Sequence, residues 1–430
     1  MNAFWIAFWL SYAICLSLAA EEDGFIKLRK QQSDTEVDTV VYIDEALPTE
    51  DVKVVPELKD ALKKIEEIDK SFVNKTSVHP VDLTSNNTVK RIPIEVRECC
   101  PERASKYKSL SAAMAFDSTN GQADLDWAIT NAKAIEEGRW IARDICGSDS
   151  ERMSTENILK YLKNNTDLSQ LIKEDIPVEE AQYPLMAAVD RGNKGVTRHE
   201  GRVVKMEFGD ISKAKKVLIL VGKGITFDTG GYDLKVSGGM VGMHRDKCGA
   251  AAIVGFMRTA QILQPEELHI SAKLAFVRNA LSARAYTVDE IITSRAGKRA
   301  LDKFKDKDVQ IITAATLTGH VVRCYKWITG AMENGPSKNA TFLKQLRLSG
   351  DQISDMLEIS ALRKEDYDFN LTPLETEDYL QCNNAGSVTT TRGHQFPAAF
   401  MIQASGLDAV RISIFISIQK ECRVCLINSE

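Results

Sequence analysis

The chain has 430 residues, 44% hydrophobic and 27% charged, with a formal net charge of −5 and a pI of about 5.9. That length and apolar fraction support roughly two to three domains with substantial cores, and the acidic balance excludes the basic footprint of a nucleic-acid binder. The six histidines are scattered along the sequence and look too few and too dispersed for a His-based metal site.

In chain order, residues 1–20 come first as a separate object. Phe4–Leu18 is almost wholly apolar, small residues follow at Ala19 and Ala20, and Glu21-Glu22-Asp23 begins the polar chain. This pattern predicts a secretory signal peptide and a secreted product; an uncleaved anchor is the alternative, because roughly 20 apolar residues can span a bilayer. Asn74, Asn86, Asn164, Asn339 and Asn370 each head an Asn-X-Ser/Thr triplet, which would permit glycosylation on that route. Cys15 lies in the leader, and the other cysteines, including Cys99-Cys100 and Cys422-X-X-Cys425, read as free thiols.

Residues 21–50 read as a polar lead-in. Val55, Leu58, Leu62, Ile65 and Ile68 recur at helical spacing, predicting an amphipathic helix over Val52–Lys70. Arg91–Val96 and Ala112–Phe116 suit strands, and Leu125–Cys146 suits a long helix. An N-terminal α/β domain therefore ends near residue 150. Beyond it, the expected order is a helix over Ser154–Asn164, then strands at Leu185–Val189, Arg202–Phe208 and Lys216–Val221. A helix over Cys248–Leu263 and strands at Ile270–Val277 and Val309–Ala314 complete it. Nearly continuous apolar strands alternating with helices predict a buried parallel sheet of α/β type.

Val221–Ala251 is the most informative stretch. Lys223, Asp228, Lys235 and Asp246 stand there among glycines, just after the apolar run Val217–Val221. Carboxylates delivered at the carboxyl end of a strand suit a hard cation at the edge of an α/β sheet. A lysine beside a dication can lose its proton and become a ligand. A plain phosphate-cradling glycine loop is the competing reading, and four charged positions in register argue against it.

The segment closely resembles the metal-binding core of the leucine aminopeptidase family, two-metal exopeptidases. By that resemblance, Lys223, Asp228 and Asp246 are metal ligands, Lys235 is the catalytic lysine that polarises the peptide carbonyl, and Met243 belongs to the substrate pocket. Arg139–Asp144 and Glu151–Met153 resemble the family's interdomain helix. Tyr183–Gly192 (YPLMAAVDRG), Leu274–Asn279 (LAFVRN) and Ala314–Gly319 (AATLTG) are similar to further signatures. The last implies that the backbone around Thr316, Leu317 and Gly319 holds the bound peptide. The likeness covers about residues 130–409. It implies a macro-like N-terminal α/β domain over 21–150 and a phosphorylase/hydrolase-like peptidase domain with a mixed central sheet over 151–430. It also implies two divalent ions (Mn²⁺ or Zn²⁺), peptide substrates and a homohexamer.

Two departures stand out. The family's second metal motif, NTDAEGR, supplies two more carboxylate ligands and an arginine that organises the transition state. It is missing: Asp289–Arg299 (DEIITSRAGKR) resembles the approach to it, and Arg299 runs straight into Ala300–Asp308. Nine residues between Arg299 and Val309 fall short of a parallel crossover, which predicts altered topology there. After Asp408 the tail over 409–430 no longer matches, and its apolar run Ile412–Ile418 reads as an exposed β-prone segment. The clean edges of both departures suit an alternative splice form or an imperfect gene model; a naturally evolved degenerate paralogue is the alternative. The expected function is an impaired metalloaminopeptidase. The alternative is a catalytically dead secreted relative, acting as a binding protein or hexamer subunit.

Overall fold

A computed structural model describes residues 26–29, 39–42, 110–115, 121–295, 304, 306–352, 355–380, 385–386 and 388–416. The leader, the helix expected over Val52–Lys70, the strand expected over Arg91–Val96, the sequons at Asn74 and Asn86 and the Arg299–Ala300 junction lie outside these residues. The chain divides into two compact units, with the main division between Lys133 and Ala134.

In the first unit, β1 (Ile26–Arg29), β2 (Thr39–Tyr42) and β3 (Leu110–Ala115) form a parallel sheet with β3 in the middle. The strand expected at Ala112–Phe116 is therefore present, shifted slightly toward the N-terminus. Helix α1 (Gly121–Gly147) follows, and from Ala134 on it belongs to the second unit.

The second unit opens with α2 (Thr155–Asn164), α3 (Thr166–Leu171), β4 (Ile172–Pro177) and α4 (Pro184–Asp190). Next come β5 (Arg202–Phe208), β6 (Lys216–Asp228), α5 (Cys248–Leu263), β7 (Leu268–Asn279) and β8 (Asp308–Ala315). Then follow α6 (His320–Tyr325), β9 (Thr329–Glu333), α7 (Gly335–Asn339), α8 (Phe342–Gln352) and β10 (Leu357–Ile359). The last elements are α9 (Lys364–Asp368), α10 (Gln395–Ser405) and β11 (Arg411–Ile416).

The strands make one eight-stranded mixed sheet in the order β10-β9-β11-β8-β6-β7-β5-β4. Strands β7, β6, β8 and β11 run parallel in its centre, while β5 on one side and β9 on the other are antiparallel to their inner neighbours. This is the mixed α/β architecture expected. The central strands are apolar on both faces because both faces are covered: Val217, Ile219, Ile311, Ile412, Ile414 and Ile416 share one buried cluster with Met332, Ala398 and Ile402.

Four expectations need correction. Leu185–Val189 is the body of helix α4, not a strand. Its run is too short for periodicity to decide, only Val189 is β-branched, and Pro184 sits at the first helical turn, where its missing N–H costs nothing. The tail run is no exposed edge: β11 lies between β8 and β9, with Ile414 and Ile416 fully buried. The crossover is also less constrained than nine residues imply. The strand before β8 is β7, so the whole segment 280–307 makes the connection, and its described residues contain no strand. Finally, Cys146 in α1 and Cys248 at the start of α5 are joined by a disulfide rather than free, across 4.8 Å between Cα atoms.

The sequons also differ. Asn164 and Asn339 are exposed. Asn370 is 1% exposed, and its side-chain amide donates to Asp366 O, Phe396 O and Gln403 Oε1. The folded chain leaves no room for a glycan on Asn370.

Candidate metal and catalytic site

β6 and β7 carry the site at their carboxyl ends, where Asp228 stands opposite Asn279. Lys223 lies earlier on β6. The glycine-rich loop then returns through a 3-10 turn at Met243–Arg245 to Asp246, just ahead of α5. Buried Met243 sits in that turn and accepts a backbone hydrogen bond from Asp246, whose own carbonyl accepts from Ile225 N on β6. Lys247 is buried and donates to the carbonyls of Ser148 and His244, holding the returning loop down.

Two glycines make this geometry possible. An ideal Cβ on Gly249 would sit 2.2 Å from the Ala314 carbonyl oxygen, so only glycine lets α5 start against the end of β8. Gly230 has φ +90, which turns the chain between Asp228 and Lys235.

Four charged groups pair off there. Lys223 Nζ is 2.9 Å from Asp246 Oδ1 and donates to the Thr316 carbonyl at 2.9 Å. Thr316 Oγ1 donates to the same Asp246 oxygen at 2.7 Å. Lys235 Nζ is 3.0 Å from Asp228 Oδ2. The other oxygen of Asp228 accepts from Gly230 N at 2.9 Å and from Asn279 Nδ2 at 2.7 Å. Burial works to raise the Asp228 carboxyl, but the ammonium groups of Lys235 and Lys223 and the Gly230 N–H hold it below its ordinary value. Asp246 is pushed above its ordinary value by burial and by Asp228, against the pull of Lys223. Burial, then the Asp228 charge, likewise raises Tyr286.

The sequence-predicted residues fall into two bonded groups, Lys223 with Asp246 and Thr316, and Lys235 with Asp228, whose charges act on each other: Lys223 lowers Asp228, and Asp228 raises Asp246. Leu317 packs on the central core, and Gly319 caps α6. The donor set, one amine, two carboxylates and a carbonyl, fits a hard divalent ion once Lys223 gives up its proton. Among the described residues, no third carboxylate, histidine or cysteine groups with Asp228 and Asp246. Asp308 lies at the opposite end of the sheet, paired in register with Lys216 at the start of β6 and bonded to Arg411. Asp302 lies outside the described residues.

Sequence reasoning missed two features. Asn279 orients Asp228 and also accepts from the Thr229 hydroxyl at 2.8 Å; its place at the end of the LAFVRN run gave the signal. Two of the histidines are also closer in space than their scatter along the sequence suggests. His320, Cys324 and His394 converge, with candidate ligand atoms all within 4.8 Å of one another. The His320–Cys324 spacing of one helical turn was the legible half of that cluster; His394 comes from a distant helix.

The sheet is that of a mixed α/β domain, with amine and carboxylate groups gathered at the carboxyl ends of its central strands. Residues 140–301 match the catalytic domain of the cytosol aminopeptidase family. A Caenorhabditis elegans protein with the inferred name aminopeptidase is 34% identical over 74% of this chain and 64% of its own length. A Clostridium perfringens protein with the inferred name cytosol aminopeptidase is 31% identical over 45% of this chain and 43% of its own. The chain thus spans less than two thirds of the length of these relatives. The cytosol aminopeptidase of Coxiella burnetii superposes with a TM-score of 0.55 at 23% identity, over 72% of this chain and 66% of that one. The bottromycin maturation enzyme BotP gives 0.57 at 17%, over 73% and 67%. At those identities the two structures speak for the fold alone.

Proposed function

We propose that the chain is a leucine aminopeptidase-like metallo-exopeptidase, acting on the N-termini of peptides, whose turnover is impaired by an incomplete metal site. One observation carries this reading: both carboxylates of the site are already neutralised by the two lysines, and the described residues bring no third carboxylate to them. Lys223, Asp228 and Asp246 would hold a divalent ion, Mn²⁺ or Zn²⁺. When bound, that ion supplies a Lewis acid and a water of lowered pKa. Lys235 would donate to the developing oxyanion, with its position set by Asp228. The Thr316–Gly319 backbone would hold the peptide, and Met243 would line the pocket for its first side chain. The family match ending at residue 301, beside the missing motif, supports the loss of two ligands and the arginine.

Secretion and hexamer assembly are part of the same proposal. The buried Cys146–Cys248 disulfide suits an oxidising compartment, and exposed Asn164 and Asn339 leave two sequons open. No helix among the described residues is long and apolar enough to cross a membrane.

The test is hydrolysis of leucine amide with Mn²⁺, comparing this chain with one carrying an NTDAEGR-containing segment inserted at Arg299–Ala300. A single oxyanion stabiliser is worth about 10²–10³ in rate, so the inserted chain should be faster by at least that factor. Equal turnover would show that the site is sufficient as it stands.

A further inference from the structure

We propose that His320, Cys324 and His394 form a separate site for a zinc-class divalent ion, clasping α6 to the N-terminal end of α10. His320 and Cys324 lie one helical turn apart on α6 and so face the same way. His394 is the residue that caps α10. The arrangement places two imidazoles and a thiol together, a donor set chosen by zinc and its neighbours and avoided by hard cations such as Mn²⁺.

The distances fit. His320 Nδ1 is 2.8 Å from His394 Nδ1 and 3.6 Å from Cys324 Sγ. Tetrahedral zinc with Zn–N of about 2.0–2.1 Å and Zn–S of about 2.3 Å has N···N edges of roughly 3.4 Å and N···S edges of roughly 3.6 Å. One edge is already the right length, and the two rings need to part by about half an ångström. The remaining edge closes by rotation of the exposed Cys324 side chain.

The surroundings orient the buried ligand. His394 Nε2 lies 2.9 Å from Ser360 Oγ, which also accepts from Gln395 Nε2 at 3.0 Å. That leaves Nδ1 of His394 facing the cluster, as a metal-bound imidazole with a fixed second nitrogen would. His394 is fully buried, Ser360 nearly so, and Tyr325 packs edge-on to the His394 ring. Burial, then the neighbouring His320, keeps the imidazole of His394 low, at about 4, so it is neutral and competent to ligate. In the metal-free state, one Nδ1–H serves the contact between the two rings. On binding, His320 moves its proton to Nε2 and Cys324 releases its own to solvent, one proton per ion. Three protein ligands leave a fourth position on the exposed side for water.

The consequence falls on the neighbouring segment. Thr316, Leu317 and Gly319 lead directly into α6, so an ion fixing α6 also fixes the stretch proposed to hold the peptide.

Co²⁺ titration of the full chain tests this, because a thiolate ligand adds a charge-transfer band that the Lys223–Asp228–Asp246 site cannot produce. One equivalent should give that band together with tetrahedral ligand-field absorption. Cys324→Ser, at an exposed position, should remove it while circular dichroism stays unchanged. Ser360→Ala should weaken Co²⁺ binding by about 10–100-fold, and Asp246→Asn should leave the band intact, which separates this site from the catalytic proposal. No thiolate band in the parent chain, or a band and stoichiometry untouched by Cys324→Ser, would overturn the proposal.

Discussion

Ile414→Ala should destabilise the second unit by about 2–5 kcal/mol, the range for emptying a packed aliphatic core position. Ile414 is fully buried on β11, in the cluster with Val217, Ile219, Ile311 and Met332. β11 pairs with β8 on one side and β9 on the other, so the cavity would open inside the sheet, where neighbours on both sides resist collapse. Urea denaturation followed by circular dichroism would read the change as a lower midpoint at unchanged slope. A loss below about 0.5 kcal/mol, the size typical of surface changes, would mean that the tail run does not occupy the centre of the sheet.

Residual aminopeptidase turnover should fall about 10²–10³-fold in Lys235→Ala, the effect of losing one fixed oxyanion stabiliser. The ammonium of Lys235 stands 3.0 Å from Asp228 Oδ2, and Asp228 is itself held by Asn279 and Gly230, so the lysine is anchored rather than free to wander. The loss should appear mainly in kcat, because a group acting on the developing charge contributes little to ground-state binding. An unchanged rate would assign the activity to a contaminant or to another site.

The candidate site was legible because its charged residues are local in sequence. Lys223, Asp228, Lys235 and Asp246 fall within one glycine-rich segment, and the apolar run before it announces the strand. Strands β6, β7 and β8 and helix α5 were legible for a similar reason: nearly continuous apolar or Ala-rich runs with clear ends leave few alternatives. Where signals were short or non-local, the reading failed. Leu185–Val189 is an apolar run too short for periodicity to tell helix from buried strand, and Pro184 decided for helix. Ile412–Ile416 looked exposed because its partners, Ile311 and Met332, lie about a hundred residues away or in a strand of opposite direction. Nothing near Cys146 announces Cys248, and nothing near His320 announces His394. Those pairs exist only once the sheet has brought α1 to α5 and α6 to α10.

The central claim is that this chain keeps half of a two-metal site. Calorimetric titration of Mn²⁺ into the Cys324→Ser chain tests it most directly, because Mn²⁺ prefers oxygen ligands and the substitution removes the soft site. The account predicts at most one weakly bound ion, lost in Asp246→Asn, since entry requires displacing the Lys223 proton and breaking two lysine–aspartate pairs. Two tightly bound equivalents, both abolished by Asp246→Asn, would contradict it and show that the chain assembles a complete dinuclear centre.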